Sequence, residues 1–452
     1  MSYGGSTSYS RLCDASRSPA TPLSIPSFGE QRVAVRALAD VTFSLPVDAS
    51  WRPRLLASHL VNLRLDSVLR DTVTAVQANA LLPLYALPAA VRRRLAGAPI
   101  QIDGNTLDPD VQLLLRVDNL LPHTTKTDAA TARTHFRNLC KLIPGTPAPL
   151  LRVTDLTVRG AAGQLEARLY IPRPTPPTPP APSSAGPGPS TAPGPSASGS
   201  APDAGAARRL GSGGLLVFFH GGGWVVGDLG THDALCRAIA ADAGIRVLSV
   251  DYRLAPEAPA PTAAEDAIAA FTWAVDHAED LGADPALVAV GGDSAGGNLA
   301  AVVAQQTVRR GLPQPALQVL LYPAVDLVAR RPSRDLFSEG FLLTEEDIIW
   351  YRDHYTPDPT LRPDPIVSPL RAEDLTGLPP TYLTTAGFDP LRDEGLEYAT
   401  ALTAAGNPLT HAHHPTLPHG HANLLTVPGT TRTAHTHLTN HLRKALGSGQ
   451  QA

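Results

Sequence analysis

Three short stretches of this chain hold residues whose types and spacing can do chemistry. Gly292–Asp293–Ser294–Ala295–Gly296 follows an apolar run (LVAVG) and precedes a helix-like one (GNLAAVVAQQ). Glycines on both sides of a serine permit a tight strand-to-helix turn that lifts the hydroxyl clear and aims the next N–H at the same point. A serine at its ordinary pKa is a weak nucleophile, so it needs a base, and the base needs a third group to orient it. Asp389 and His419 lie downstream, each after a strand-like segment. Asp393 and Glu394 rival Asp389, but both also suit the first turn of a helix, where acids are favoured; Asp389 is preferred. His421 rivals His419, and His419 is preferred. The third stretch is His220–Gly221–Gly222–Gly223–Trp224, after the apolar run LLVFFH. Three bare glycines leave N–H groups free to converge on a developing oxyanion. A phosphate loop would instead require a Lys–Ser/Thr pair or a G-x-G-x-x-G opening into a helix, and neither is present.

These residues need a scaffold that brings loops together, and the second half of the chain reads as one. Apolar strands are expected at 215–220, 246–252, 287–291, 317–322, 381–387 and 409–414. Helices are expected at 231–243, 263–277, 296–310, 393–405 and 431–446. Continuous apolar strands alternating with helices indicate an α/β class with a mostly parallel sheet covered on both faces, its ligands bound at strand C-terminal ends. Two further strands are expected within 156–170, around the turn 160–163. Before them, Leu107–Asp108–Pro109 reads as a helix start, with aspartate as cap and proline at the first helical position. A second helix is expected over 128–142. From 54 to 95 the apolar spacing permits a helical reading, and residues 1–50 are polar and irregular.

Composition sets the outer limits. The chain has 452 residues, 43% apolar and 17% charged, with a net charge of −4 spread without blocks. That supports a sizeable core and leaves no footprint for nucleic acid. Proline is in excess at 45 residues, and twelve of them fall between Pro172 and Pro202. The Pro/Ser/Gly/Ala-rich insert at 173–213 has little apolar surface to bury and is expected to be disordered. Cys13, Cys140 and Cys236 form neither a disulfide framework nor a zinc motif. His411–Ala412–His413–His414 lacks metal-ligand spacing and reads as solvated strand histidines. No apolar leader opens the chain, so a cytoplasmic location is expected. The uncharged stretch Thr72–Val91 is interrupted by Pro83 and Pro88 and reads as a packed or substrate-facing helical segment, not a transmembrane span.

Taken together, HGGGW at 220–224, GDSAGG continuing as Asn298–Leu299–Ala300, Asp251–Glu257 (DYRLAPE), Ser368–Leu370 (SPL) and Gly387–Gly395 (GFDPLRDEG) resemble the hormone-sensitive-lipase family of α/β-hydrolase serine esterases. The resemblance runs from about residue 100 to 447, broken by the proline-rich insert. It implies that Ser294 is the nucleophile, His419 the general base and then acid, and Asp389 its orienting carboxylate. It implies too that Gly222, Gly223 and Ala295 supply oxyanion N–H groups, and that His220 and the 252–257 run support the site. It implies that residues 51–150 contribute a helical cap, that 151–447 form the catalytic domain with the insert as a surface loop, and that a small-molecule ester of short to medium acyl chain is cleaved without metal or cofactor. Amide hydrolysis or acyl transfer on the same triad, a non-catalytic ligand receptor and a homo-oligomer stay open. One departure stands out: the family usually reads His-Gly-Phe where this chain has His419–Gly420–His421.

Overall fold

The computed structural model describes residues 81–118, 128–142, 148–174 and 213–447. Readings that fall on 1–80 and 175–212, including Cys13, the 1–50 segment and most of the insert, lie outside the described residues. So do most of the 54–95 helical reading and the 72–80 part of the uncharged stretch.

Before the sheet come α1 (Ala89–Ala96), α2 (Pro109–Asp118) and α3 (Ala129–Leu142). The start of α2 follows its sequence: Asp108 Oδ1 accepts from the N–H groups of Asp110 at 2.8 Å and Val111 at 3.3 Å, while Pro109 needs no acceptor. Asp128 caps α3 in the same way, through the Thr131 N–H at 2.9 Å. The described part of the uncharged stretch is a short helical turn (Leu81–Tyr85) and the beginning of α1, separated at Pro88. A proline there interrupts the hydrogen-bond ladder, so no continuous apolar helix forms. No helix among the described residues is long and apolar enough to cross a membrane.

The sheet is built from β1 (Arg152–Gly160), β2 (Gly163–Ile171), β3 (Gly213–Phe219), β4 (Arg246–Val250), β5 (Ala283–Asp293), β6 (Gln318–Leu321), β7 (Thr381–Phe388) and β8 (Leu409–Pro418). Its order is β8-β7-β6-β5-β3-β4-β2-β1. Only β2 runs against its neighbours, pairing antiparallel with both β1 and β4. The chain therefore leaves the sheet at β2 and re-enters the same sheet at β3, two positions along. Along β3 the side chains alternate: Leu215, Val217 and Phe219 enter one core, Leu216 and Phe218 the other. Helices α5 (Thr262–Asp276), α6 (Ala295–Arg310) and α9 (Arg392–Ala404) cover the first face. Helices α4 (Asp233–Ala243) and α10 (Thr430–Leu446) cover the second. The fold is the expected α/β-hydrolase arrangement.

Two elements between β6 and β7 differ from the sequence expectation, which had no helix there: α7 (Pro332–Leu336) and α8 (Glu345–Tyr355). The start of α8 carries a reciprocal cap. Thr344 Oγ1 accepts from the Asp347 N–H at 3.0 Å, and Asp347 Oδ2 accepts from the Thr344 N–H at 3.0 Å. A small third core gathers α2 residues Val111, Leu114 and Leu115 against Phe337, Phe388, Leu417 and Leu424.

Candidate active site

Ser294 sits between the end of β5 and the start of α6 with φ +56° and ψ −116°, a left-handed conformation uncommon for a side-chain-bearing residue. The flanking glycines make that turn geometrically allowed. A Cβ on Gly296 would stand 1.9 Å from the Phe219 carbonyl oxygen, and one on Gly292 would stand 2.4 Å from the Gly296 carbonyl. Strand β3, the turn and α6 thus approach one another with no space for a methyl group.

Asp389 follows β7 and His419 follows β8, so the sheet delivers both to the edge where β5 ends. His419 Nε2 lies 2.9 Å from Ser294 Oγ, and His419 Nδ1 lies 2.9 Å from Asp389 Oδ2. Asp389 is buried, and its Oδ1 accepts from the Leu391 N–H at 2.7 Å. The edge of the Tyr322 ring meets His419 with centroids 4.8 Å apart.

The glycine loop after β3 passes beside the serine. Gly222 has φ +118° and Gly223 φ +58°, and their N–H groups find no protein acceptor among the described residues. Asp293 fixes this loop to the serine turn. Its Oδ1 accepts from the Gly221 N–H at 2.9 Å and lies 3.1 Å from His232 Nε2, while Asn423 Nδ2 donates to Oδ2 at 3.2 Å. Burial by itself would raise the Asp293 carboxyl. The charge of His232 and the hydrogen bonds hold it below the usual carboxylate range instead. His220 stacks on Tyr252 at 4.4 Å, and burial lowers its imidazole to about 4, so it stands here neutral.

The rivals point elsewhere. Asp393 accepts from the Ser333 N–H at 2.8 Å, and Glu394 from the Val325 N–H at 2.7 Å. His421 is buried, with Nδ1 3.1 Å from the Pro418 carbonyl. His411 and His413 share Thr385 Oγ1 on an exposed strand. Among the described residues no group of three or more His, Cys, Asp or Glu side chains is placed to hold a metal ion.

A cavity of about 630 Å³ opens on Ser294 and His419. Its apolar lining includes Leu114 and Val117 of α2, Phe136 and Leu139 of α3, and Trp350 and Tyr351 of α8. Residues 83–91 do not line it, so the described part of the uncharged stretch does not face the cavity, and the rest of that reading lies outside the described residues. Trp350 and Tyr351 were missed by sequence reasoning, as were His232 and Asn423. The Thr344–Asp347 cap spacing was the signal available for α8; nothing local marks His232 or Asn423.

Comparison with known proteins agrees with this architecture. Residues 216–423 match the model of a family described by the alpha/beta hydrolase fold. The chain is similar to the carboxylic ester hydrolase LipN of Mycobacterium tuberculosis, at 45% identity over 80% of this chain and 89% of that protein. It is also similar to the esterase LipI of the same organism, at 38% identity over 72% and 91%. Among solved structures, an ester hydrolase from the metagenome of Lake Arreo, complexed with a bipyridine phosphonate derivative, superposes with a TM-score of 0.65 at 34% identity, covering 75% of this chain and 98% of that one. An esterase of Pyrobaculum calidifontis gives a TM-score of 0.64 at 34% identity, over 75% and 98%. The chain belongs to the hormone-sensitive-lipase-like family of α/β-hydrolase carboxylic ester hydrolases.

Proposed function

We propose that this protein cleaves its esters through an acyl-enzyme carried on Ser294, with His419 as base and then acid and Asp389 holding the imidazole. Ser294 Oγ attacks the ester carbonyl while its proton passes to His419 Nε2. The tetrahedral oxyanion is met by the N–H groups of Gly222, Gly223 and Ala295. His419 then gives the proton to the departing alkoxide, and the C–O bond breaks to leave the acyl-serine and the free alcohol. Water enters, loses a proton to the same nitrogen, and its attack releases the acid and restores Ser294. The observation that carries this reading is the unbroken relay from Asp389 Oδ2 through both ring nitrogens of His419 to Ser294 Oγ, at 2.9 Å on each side.

The acyl arm is proposed to be short to medium in length. A cavity of about 630 Å³ with leucine, phenylalanine and tryptophan in its lining supports such an arm. A chain-length series of aryl esters tests both statements. Ser294→Ala is expected to lose about 10⁴-fold or more in kcat/KM, and wild-type activity to peak below the long chains. Equal turnover by the two proteins removes the mechanism.

Residues 151–447 are proposed to act as one catalytic unit beneath a cap drawn from 51–150, the proline-rich insert being a surface loop. That β2 and β3 belong to one sheet supports the first part. We also assign the enzyme to the cytoplasm: Cys140 and Cys236 are free thiols, as a reducing compartment favours. Cell fractionation checks this.

A further inference from the structure

The cavity above Ser294 has a polar corner that the ester chemistry does not use. Glu394 of α9 is 2% exposed and Arg334 of α7 is 7% exposed, and both line the cavity. Glu394 Oε1 accepts from the N–H groups of Val325 at 2.7 Å and Asp326 at 3.3 Å. That anchors the carboxyl on the loop whose Ala324 N–H donates to the Ser294 carbonyl at 3.3 Å, one connection away from the nucleophile. Its second oxygen, Oε2, has no protein partner among the described residues. Arg334 directs Nε to Glu345 and forms no ion pair with Glu394. Its terminal amino groups therefore also lack a protein acceptor among the described residues.

These polar atoms belong to side chains that are otherwise buried, and they open only onto the cavity, where a ligand can supply the missing bonds. Burial pushes the Glu394 carboxyl up to about 7, against the pull of the Val325 N–H and of Arg334 and Arg331. The surroundings decide which ligand group fits. A hydroxyl carries both functions that these groups lack, an O–H to donate to Oε2 and lone pairs to accept from the guanidinium. An ionised carboxylate brings acceptors and no donor, so it would leave Oε2 of Glu394 unpaired. A plain alkyl arm leaves both polar groups unpaired. We propose that Glu394 and Arg334 form a subsite for a hydroxyl group on the substrate, so that this esterase prefers hydroxylated esters to alkyl esters of the same length. The inference rests on the Ser294 reading above.

Matched pairs of substrates test it. On the acyl side these are β-hydroxybutanoyl against butanoyl and β-hydroxyhexanoyl against hexanoyl aryl esters. On the alcohol side they are ethylene glycol monoacetate against propyl acetate. The wild-type kcat/KM ratio, hydroxylated over plain, is expected to reach about tenfold or more in one series. Glu394→Gln keeps an acceptor for Val325 but turns Oε2 into an amide donor, so the hydroxyl loses its acceptor and the ratio falls several-fold. Arg334→Leu removes the donors and lowers the ratio independently, should the first variant fold poorly. A purely structural role would change both members of a pair alike and leave the ratio untouched. Ratios near one in every wild-type pair, or ratios unchanged in both variants, overturn the subsite while leaving the triad standing. Turnover of neither ester by the wild type removes the triad reading and this one with it.

Discussion

Below the cavity the backbone leaves no freedom, whereas above it a few side chains do the holding. On the floor, a Cβ at Gly296 would meet the Phe219 carbonyl at 1.9 Å, and one at Gly222 would meet the Val226 carbonyl at 2.2 Å. Both obstacles are main chain and cannot swing aside. The roof helix α3 is fastened differently. Arg133 Nε and Nη2 donate to the carbonyls of Val225 and Ala255, each at 2.8 Å, and Nη1 pairs with Glu257 at 2.9 Å. Arg137 pairs with Asp228. Helix α8 rests its Tyr351 ring on Gly223, where a Cβ would stand 2.1 Å from the ring. Ion pairs open to water contribute little each. The floor is therefore fixed by steric exclusion, and the roof is tunable.

The largest effect expected from breaking this contrast comes from Gly296→Ala. Its methyl group forces β3 away from the serine turn, with a stability loss of about 3 kcal/mol or more and activity reduced over a hundredfold. Chemical denaturation and ester assays read the two losses together. A near-normal enzyme would mean that the floor yields more than its distances imply.

Arg133→Ala addresses the roof. The serine geometry stays intact, so KM is expected to rise about three- to tenfold with kcat changed far less, alongside a small drop in melting temperature. A fall in kcat with KM constant would show that α3 takes part in the chemistry beneath it.

His421→Phe sharpens the boundary between the two regions. His421 is buried, its ring meets Tyr322 at 4.8 Å, as does that of His419, and His414 packs against it at 5.0 Å. Burial, then the neighbouring His414, lowers its imidazole from an ordinary 6.5 to about 3. The folded protein therefore holds this ring neutral while the unfolded chain protonates it. The stability it provides is present above about pH 6.5 and is lost as pH falls toward 3. His414 and His220, both lowered to about 4 chiefly by burial, act in the same direction. Phenylalanine removes one of these protonations, and the acid-unfolding midpoint is expected to move down by a few tenths of a pH unit. An unchanged midpoint would assign the acid sensitivity to the other histidines.

The smallest effect is expected at the insert. Replacing 175–212 with a short Gly/Ser turn is expected to leave kcat/KM within about twofold, because the entropy of closing a loop grows slowly with its length. Loss of folding would show that the insert belongs to the catalytic unit in a stronger sense.

Much of the floor was legible in the residues. Gly221, Gly222, Gly292 and Gly296 are needed where backbone must approach backbone, and the alternating apolar strands declared the sheet that holds them. The ends of elements were less legible. Strand β8 continues past 414 to Pro418, and β5 begins at Ala283 rather than 287. Pairing with a neighbouring strand, invisible in a single segment, extends both. Helix α8 was missed because its burial is patchy, with only Asp347 and Tyr355 buried, so it lacks a clear apolar stripe.

By itself the sequence singled out the candidate groups: a serine in a glycine turn, a histidine and a carboxylate after later strands, and a glycine loop proposed for the oxyanion. Those are local properties of residue type and neighbouring turns. It left Asp393, Glu394 and His421 as rivals, because candidates so near in sequence cannot be separated without the third dimension. The tertiary structure sends the candidates to different partners through strand order and the direction in which each loop leaves the sheet. Asp389 and His419 turn toward Ser294, while Asp393 bonds Ser333 and His421 turns to Pro418. It also brought Glu394 and Arg334 to one cavity from positions 60 residues apart, a proximity that only packing can create.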